Sequence, residues 1–438
     1  MLTRLLLSAI VAYPSMIRQV SGSDLCEVGN ISPAALTCEV LRHAYPDVTF
    51  FPNSTEYAGL NEDYYTAAEW LGPACIFAPT TAEDMGFAVK TLVKTVYQYL
   101  EPFGLTVVGG RMGVVGIPGF LLGGGISFFG NEYGWASANV ASAECVLADG
   151  SVVRATASNE YSGLFWALRG GGNSFAIVTE FELKNIEAPA VTVGQASYGT
   201  GLRDEYIDSV FGFAFDGVLD RKAAIVPMAT WTASLGDEPV YASMLFYNGN
   251  ITTPLALANF TGPEALLKPS TSTFACRTMA NWSNETKAGF DQVHGMQFRF
   301  HILSILASKE AMGIIHDTFF TVALQRLSNV TDALGTLVMM PISESYITST
   351  RGDDRAGDPM GIDATKAPYV WVNEVINEKL APLDVVSPYL YLNDADKGQL
   401  VFEGYAPENV ARLKRIRAKY DPTSIYTNQM SGGFKIAP

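Results

Sequence analysis

GGRMGVVGIPGFLLGGG, residues 109–125, sets eight glycines into seventeen positions of an otherwise apolar segment. Glycine loses more backbone freedom on folding than any other residue, so this density needs a reason. Two are open: tight turns in a β-rich core, or a main chain that must come within contact distance of a bulky ligand. A second cluster, Arg169-Gly170-Gly171-Gly172-Asn173-Ser174-Phe175, follows about one supersecondary unit later and again leads into a strand. Glycine patches in a pair, each flanking a strand, favour the ligand.

Around this run the chain reads strand, tight turn, strand. Ala141–Ala148 and Ser151–Ala155 alternate and are joined by Asp149-Gly150, a strong short-range hairpin signal. A short helix is expected over Tyr161–Leu168, a strand over Ser174–Lys184, and a short strand over Thr106–Gly110. Before the run, residues 24–80 form a lead-in with a helix near Pro33–His43. Thr80–Tyr99 carries a helix signal, capped by Thr80 or Thr81 with Glu83 or Asp84 in its first turn. From about 190 to 385, β-like runs (Val240–Tyr247, Met296–Leu303, Thr336–Pro341) alternate with helical ones such as Lys309–Arg326, as expected of a separate layer. The C-terminal part contains a helix with Pro407 at its first position, Val410, Leu413, Ile416 and Tyr420 along one face, and Asp421-Pro422 as its stop.

Nearly half of the 438 residues are apolar, enough for two sizeable cores. The formal net charge of −15 disfavours a nucleic-acid partner, because phosphate binding rests on clustered Lys and Arg. No apolar run reaches bilayer-spanning length. The N-terminus reads as a secretory signal over residues 1–23: Arg4, an apolar stretch from Leu5 to Ala12, then small residues at Val20-Ser21-Gly22-Ser23. Asn30, Asn53, Asn250, Asn259, Asn281, Asn284 and Asn329 each begin an Asn-X-Ser/Thr acceptor, as expected of a glycosylated, exported chain. Of the five cysteines, Cys38 and Cys75 are the first candidates for a bridge, with Cys26 as an alternative partner. Cys145, inside an alternating strand, reads as a buried thiol.

Several standard chemistries are absent. The chain has no GxxxxGK[ST] phosphate loop, no HExxH helix, no GxSxG elbow, no CxxC pair and no strict GxGxxG fingerprint. No metal site is expected. The glycines of residues 109–125 read as not followed by a helix. His43, His294, His301 and His316 are scattered, with His301 in an alternating strand and His316 on an amphipathic helix, and each reads as structural or exposed. Arg351-Gly352-Asp353 reads as a solvated charged loop. What remains is a glycine-lined main-chain surface. Successive N–H groups in turns form nests that receive phosphate oxygens without lysine. A dinucleotide with a large flat ring system would need such a surface twice, at its pyrophosphate and along its ring.

The stretch from Leu100 to Leu183, above all GGGISFF…YGW…NV…LADG and FWALRGGGNSFAIVT, resembles the FAD-binding domain of the berberine bridge enzyme-like oxidoreductases of the vanillyl-alcohol oxidase superfamily. The terminal PYLYLNDAD and RLKRIRAKYDPTSIY resemble the closing segment of the same family. The resemblance implies an α+β fold: a PCMH-type FAD-binding domain over residues 24–190, a substrate domain of antiparallel sheet covered by helices over 191–385, and a segment 386–438 that completes the site. It implies that Gly109, Gly110, Val115, Gly116, Gly119, Gly123, Gly124 and Gly125 carry the flavin pyrophosphate and ring edge. Gly134, Asn139, Ile177 and Val178 would complete the pocket through main-chain contacts. Tyr391 and Asn393 would approach the ring, Tyr391 as the candidate base. The substrate, a secondary metabolite or sugar-like alcohol, would give a hydride to flavin N5, and dioxygen would reoxidise the flavin; the redox chemistry belongs to the cofactor.

The chain departs from that pattern in one consequential place. Between Lys94-Thr95 and Val96-Tyr97-Gln98-Tyr99 the family carries several dozen further residues, including an Arg-Ser/Gly-Gly-Gly-His loop that wraps the pyrophosphate and bonds the flavin through its histidine. No histidine occurs here between His43 and His294. The second covalent anchor of some members, a cysteine, falls at Met112, and the aspartate often found before Asn139 is Ala138. Two or three lost charge-assisted hydrogen bonds to phosphate, at about 1.5–3 kcal/mol each, amount to roughly 3–9 kcal/mol, or about two to six decades of affinity. FAD is therefore expected to be non-covalent if bound, and the alternative is a secreted glycoprotein of the same fold that no longer holds FAD tightly.

Overall fold

The computed structural model describes residues 38, 41–42, 45–62, 67, 70, 72–73, 75–78, 93–188, 190–291, 294–330, 333–349, 357–372, 380–430 and 432–437. The signal segment, Cys26, Asn30, His43, Arg351-Gly352-Asp353 and most of the helices expected before Val93 lie outside these residues. The chain divides into two compact units, Met1–Phe87 with Val293–Phe298, and Ala88–Gln292 with Arg299–Pro438. In the first, Thr49–Phe50 pairs antiparallel with Ile76–Phe77. A helix over Thr55–Asn61 is capped by Ser54, whose hydroxyl accepts the Tyr57 N–H. Cys38 and Cys75 are bridged, closing a 37-residue separation.

The second unit holds everything that follows. Helix α1 (Val93–Leu100) leads to strand β1 (Leu105–Val107), and α2 (Ile117–Leu122) lies inside the glycine run. Strands β2 (Val140–Val146) and β3 (Val152–Thr156) form the expected hairpin. Gly150 in its turn sits at φ +85°, a conformation that glycine adopts at no steric cost. Helix α3 (Ser162–Leu168) follows, then β4 (Ile177–Leu183), which pairs with β2 on its other edge. A short β5 (Asn185–Glu187) pairs with β1.

The larger sheet is antiparallel and central. Its main strands are β6 (Val191–Gly199), β7 (Ala223–Thr232), β8 (Val240–Tyr247), β9 (Leu303–Leu306), β10 (Leu334–Ile342) and β11 (Tyr369–Val372), in the order β6-β8-β7-β10-β11-β9. Both faces are buried, so its alternation separates two cores rather than core from solvent. Ile225, Ala229, Trp231, Tyr241, Leu245, Leu337, Met339, Val370 and Val372 face helices α4 (Arg203–Phe215) and α6 (Lys309–Leu327). Val226, Phe246, Met340, Ile342, Tyr369 and Trp371 join the core of the glycine-rich half. Phe128 stacks on Phe246 at 5.0 Å and 2°, so the two halves meet through apolar ring faces.

The strand expected over Met296–Leu303 forms instead at Leu303–Leu306. The main chain of Ile302 is satisfied by an amide side chain, not a ladder: its N–H donates to Gln399 Oε1 at 2.9 Å, and its carbonyl accepts Gln399 Nε2 at 2.7 Å. His301 consequently stands outside the strand. Helix α5 (Met279–Asp291) and the closing helix α7 (Pro407–Tyr420) complete the unit. The fold is α+β, as the sequence implies. Asn53, Asn250, Asn259, Asn281 and Asn329 are exposed, whereas Asn284 is half-buried and accepts a bond from Gln98.

Candidate functional site

The glycine run is built from two unlike halves. Gly116 precedes α2 and Pro118 lies in its first turn, where a missing N–H costs nothing. A six-residue helix thus follows the first glycines, contrary to the sequence expectation of none. Gly116 and Gly119 are exposed, and a Cβ added at either would meet open space. Val115 is half-buried. Gly123, Gly124 and Gly125 are buried, the last two at φ +102° and +81°. Their carbonyls hold the next turn, because Ser137 N–H donates to Gly124 O at 2.9 Å and Ala136 N–H to Gly125 O at 3.0 Å. Gly134 (φ +73°) ends the short helix Gly130–Tyr133 that precedes this turn, and Asn139 Nδ2 clamps the junction by donating to the carbonyls of Tyr133 and Trp135. Ile177 and Val178 stand on β4, opposite Val146 and Cys145 of β2.

The C-terminal segment packs against the main chain at the end of the glycine run. Tyr391 Oη accepts the Ile126 N–H at 3.1 Å and Asn393 Nδ2–H at 2.9 Å, and the same amide nitrogen donates to Phe120 O at 3.1 Å. Asn393 lies flat on Gly123, its Oδ1 only 2.0 Å from where a Cβ would be. Tyr391 also closes a set of near-parallel rings with Trp371 (5.4 Å) and Trp135 (6.0 Å), which are 5.5 Å from each other. Burial pushes the Tyr391 phenol well above its ordinary pKa, and the Asp394 carboxylate beside it adds to the rise. A phenol held this way is a poor proton acceptor at neutral pH.

Three more side chains sit where sequence reading expected a ligand. Tyr97 donates from its hydroxyl to Gly110 O at 3.1 Å and lies 2.7 Å from the place of a Cβ on Gly109. Tyr346 accepts the Ser127 N–H at 2.9 Å. Met360 fills the space between the two glycine clusters, its side chain at 3.3 Å from a Cβ position on both Gly124 and Gly170. Directly beside it the clusters bond to each other, Gly172 N–H to Leu122 O at 3.0 Å. The close approach that glycine permits is therefore real, but the approaching bodies are side chains of the chain itself. Met360, Tyr346 and Trp371 carried no local signal for this, because each reaches the run or the turn after it from far along the chain.

The fit of FAD can be judged from this packing. A cavity lined by Val96, Val107, Val108, Gly109, Phe120 and Leu121 measures about 10 Å³, room for about one water. Small-molecule sites ordinarily need several hundred cubic ångströms. Of the residues expected to carry the pyrophosphate and ring edge, Gly109, Gly110 and Gly123 to Gly125 are buried, Val115 is half-buried, and Gly116 and Gly119 are exposed, with Tyr391 and Asn393 beside Gly123 and Ile126. Tyr97, Met360 and Asn393 stand against the buried glycines, at the places where the resemblance expects the dinucleotide.

No protein-family model matches the chain. Among curated proteins it is 28% identical to the FAD-dependent monooxygenase prx3 of Penicillium roqueforti, over 92% of this chain and 94% of that protein. That alignment runs over 491 positions against 438 residues here, so more than fifty positions of the relative have no counterpart in the chain. It is 29% identical to the bifunctional solanapyrone synthase of Alternaria solani, over 82% of this chain and 70% of that one. Among solved structures it is similar to Physcomitrella patens BBE-like 1 (TM-score 0.61, 17% identity, covering 89% and 97%). It is also similar to 6-hydroxy-D-nicotine oxidase of Arthrobacter nicotinovorans (TM-score 0.58, 22% identity, covering 77% and 75%).

Proposed function

We propose, for a chain whose fold is that of the vanillyl-alcohol oxidase-type flavoproteins and whose sequence relatives are FAD-dependent oxidoreductases, the oxidation of a small molecule with FAD held non-covalently. A secondary metabolite or a sugar-like alcohol is the substrate class, and dioxygen is the electron acceptor. The observation that carries this reading is the meeting of Tyr391 and Asn393 with Gly123–Ile126, more than 260 residues away in the chain. Side chains of a separate segment, seated on main chain that glycine leaves bare, are what a ring-binding wall requires. The resemblance expects this pair beside the flavin ring, and its contact with Gly123–Ile126 supports that reading.

The second reading has an observation of its own. Met360, Tyr97 and Asn393 fill the ground a dinucleotide would need, which favours a protein of this fold that has given up tight flavin binding. In either reading we place the chain outside the cell, glycosylated at its exposed acceptors. The test is the visible spectrum of the purified full chain. Absorbance near the flavin bands, with FAD released by acid, supports the oxidoreductase. A colourless protein that stays colourless after incubation with FAD refutes it and leaves the second reading.

A further inference from the structure

Arg111 is a guanidinium without a carboxylate, carbonyl or hydroxyl partner among the described residues. It lies in the glycine run, half-buried, and the one hydrogen-bond partner of its side chain is the thioether of Met340 on β10, 2.7 Å from Nη1. A guanidinium offers five N–H donors, and a thioether is a weak acceptor, so most of that capacity is unspent. The residue is nonetheless firmly positioned. Trp282 of α5 donates its indole N–H to Arg111 O at 2.8 Å, Tyr97 holds Gly110 O, and Gly113 N–H donates to Thr286 Oγ1 at 3.0 Å. Two further groups stand within its electrostatic reach, the Tyr346 hydroxyl and the Asp394 carboxyl. Tyr346 already accepts from Ser127, and Asp394 lies beyond ion-pair distance.

A cation in this state, on a chain of net charge −15, is a place where an anion gains from binding. Against the guanidinium lies the Met340 thioether of the substrate-domain sheet, the Trp282 indole of α5 holds the main-chain carbonyl of the same residue, and Tyr346, from the helix over Glu344–Ser349, stands within electrostatic reach. One charge amid such surroundings suits a single carboxylate on an apolar body. It does not suit a pyrophosphate, which would need several donors.

We propose that Arg111 anchors a carboxylate-class anionic group of the small molecule on which this chain acts. That the anion is the substrate rests on the oxidoreductase reading; the anion site itself does not.

The probe is benzoate, titrated into the full chain and followed by tryptophan fluorescence, since Trp282 touches the Arg111 main chain. Benzamide, of equal shape and no charge, is the control. Benzoate is expected to bind at least about tenfold tighter than benzamide, and to weaken as salt rises. Arg111→Met should weaken benzoate by about tenfold or more and leave benzamide unchanged, while Arg111→Lys keeps part of the preference. Equal binding of the two probes, no binding of either, or benzoate affinity untouched in Arg111→Met would each overturn the proposal. Should Arg111→Met fail to fold, Arg111→Lys and the salt dependence of the parent decide in its place. Inorganic pyrophosphate displacing benzoate at lower concentration than benzoate itself requires would assign the residue to phosphate and overturn the carboxylate. A colourless preparation that discriminates benzoate from benzamide retires the flavin reading and keeps the anion site; a yellow one that does not discriminate does the reverse.

Discussion

Replacing Tyr391 by phenylalanine separates a structural hydroxyl from a chemical one. The ring would keep its place against Trp371 and Trp135, since phenylalanine preserves the faces that stack at 5.4 and 6.0 Å. What disappears is the oxygen that accepts the Ile126 N–H at 3.1 Å. Ile126 is only 3% exposed, so its donor is left without water or partner. A buried donor stripped of its acceptor costs about 1–3 kcal/mol. The second bond to that oxygen, from Asn393 Nδ2, adds little, because Asn393 is exposed and retains Phe120 O at 3.1 Å. Tyr391→Phe should therefore lower the unfolding free energy by about 1–3 kcal/mol, a factor of about five to 150 in the equilibrium constant. Asn393→Ala should lower it by less than about 1 kcal/mol, as expected of an exposed hydrogen bond. The assay is urea unfolding followed by tryptophan emission, with the two substitutions combined in a double-mutant cycle. A Tyr391→Phe protein as stable as its parent, or an Asn393→Ala protein equally damaged, would show that the hydroxyl does not hold the run.

Glycine substitutions should divide by what stands in the way. An Ala Cβ at Gly171 would lie 2.3 Å from the carbonyl oxygen of Ala167, which cannot withdraw without unwinding α3, so a loss of about 3 kcal/mol or more is expected by thermal unfolding. At Gly123 the obstacle is the mobile end of Asn393, and about 1 kcal/mol should suffice; equal losses at the two sites would contradict the packing described. Acidification tests His316, whose Nε2 is 2.8 Å from Tyr241 Oη and whose Nδ1 is 3.0 Å from Asp317 Oδ1. Burial lowers its pKa, partly offset by Asp317, with Arg203 and Asp204 also in range. The unfolded chain then binds more protons between the folded pKa and about 6.5, so this contribution is complete above about pH 6.5 and lost as pH falls through the folded value. His316→Gln should flatten that part of the stability–pH curve, and an unchanged slope would remove His316 as its source. Reducing the Cys38–Cys75 bridge, which spans 37 residues, should cost its unit about 3–4 kcal/mol, measured as the shift in its unfolding with and without reductant.

Where one local rule governed an element, the sequence was a good guide. Val240–Tyr247 appears as a strand over the span expected, since its period-two pattern is enforced by cores on both faces. Asp149-Gly150 turns the β2–β3 hairpin, and Pro407 opens α7, because both act through their own backbone angles. The meaning of the glycine run was harder to read. A bare main chain announces that something comes close without saying what. Met360 and Asn393 lie far from the glycines they cover, and no periodicity links them or Tyr97 to the run. The side-chain amide of Asn139 ties the turn before it by donating to two of its carbonyls, a role no local pattern announces. Arg111 left the one local clue that was overlooked: a single charge within seventeen residues otherwise free of it.

The stretch after residue 386 is the one that fastens the first core. Tyr405 donates to Gly170 O, Tyr426 to Val146 O, and Ile436 N–H to Ser174 Oγ, while Tyr391 lies against Trp135 and Trp371. Until those residues have left the ribosome, Gly170, Val146 and Ser174 lack these partners and Trp135 lacks one of its stacked rings, although Phe246, Tyr346 and Trp371 already cover part of this core. A protein of this design cannot settle its early half as it emerges, in the way multidomain chains ordinarily do. It must wait, with an apolar flank uncovered, for its own tail. A premature stop before residue 386 would thus release a sticky, half-built species and not a smaller working domain.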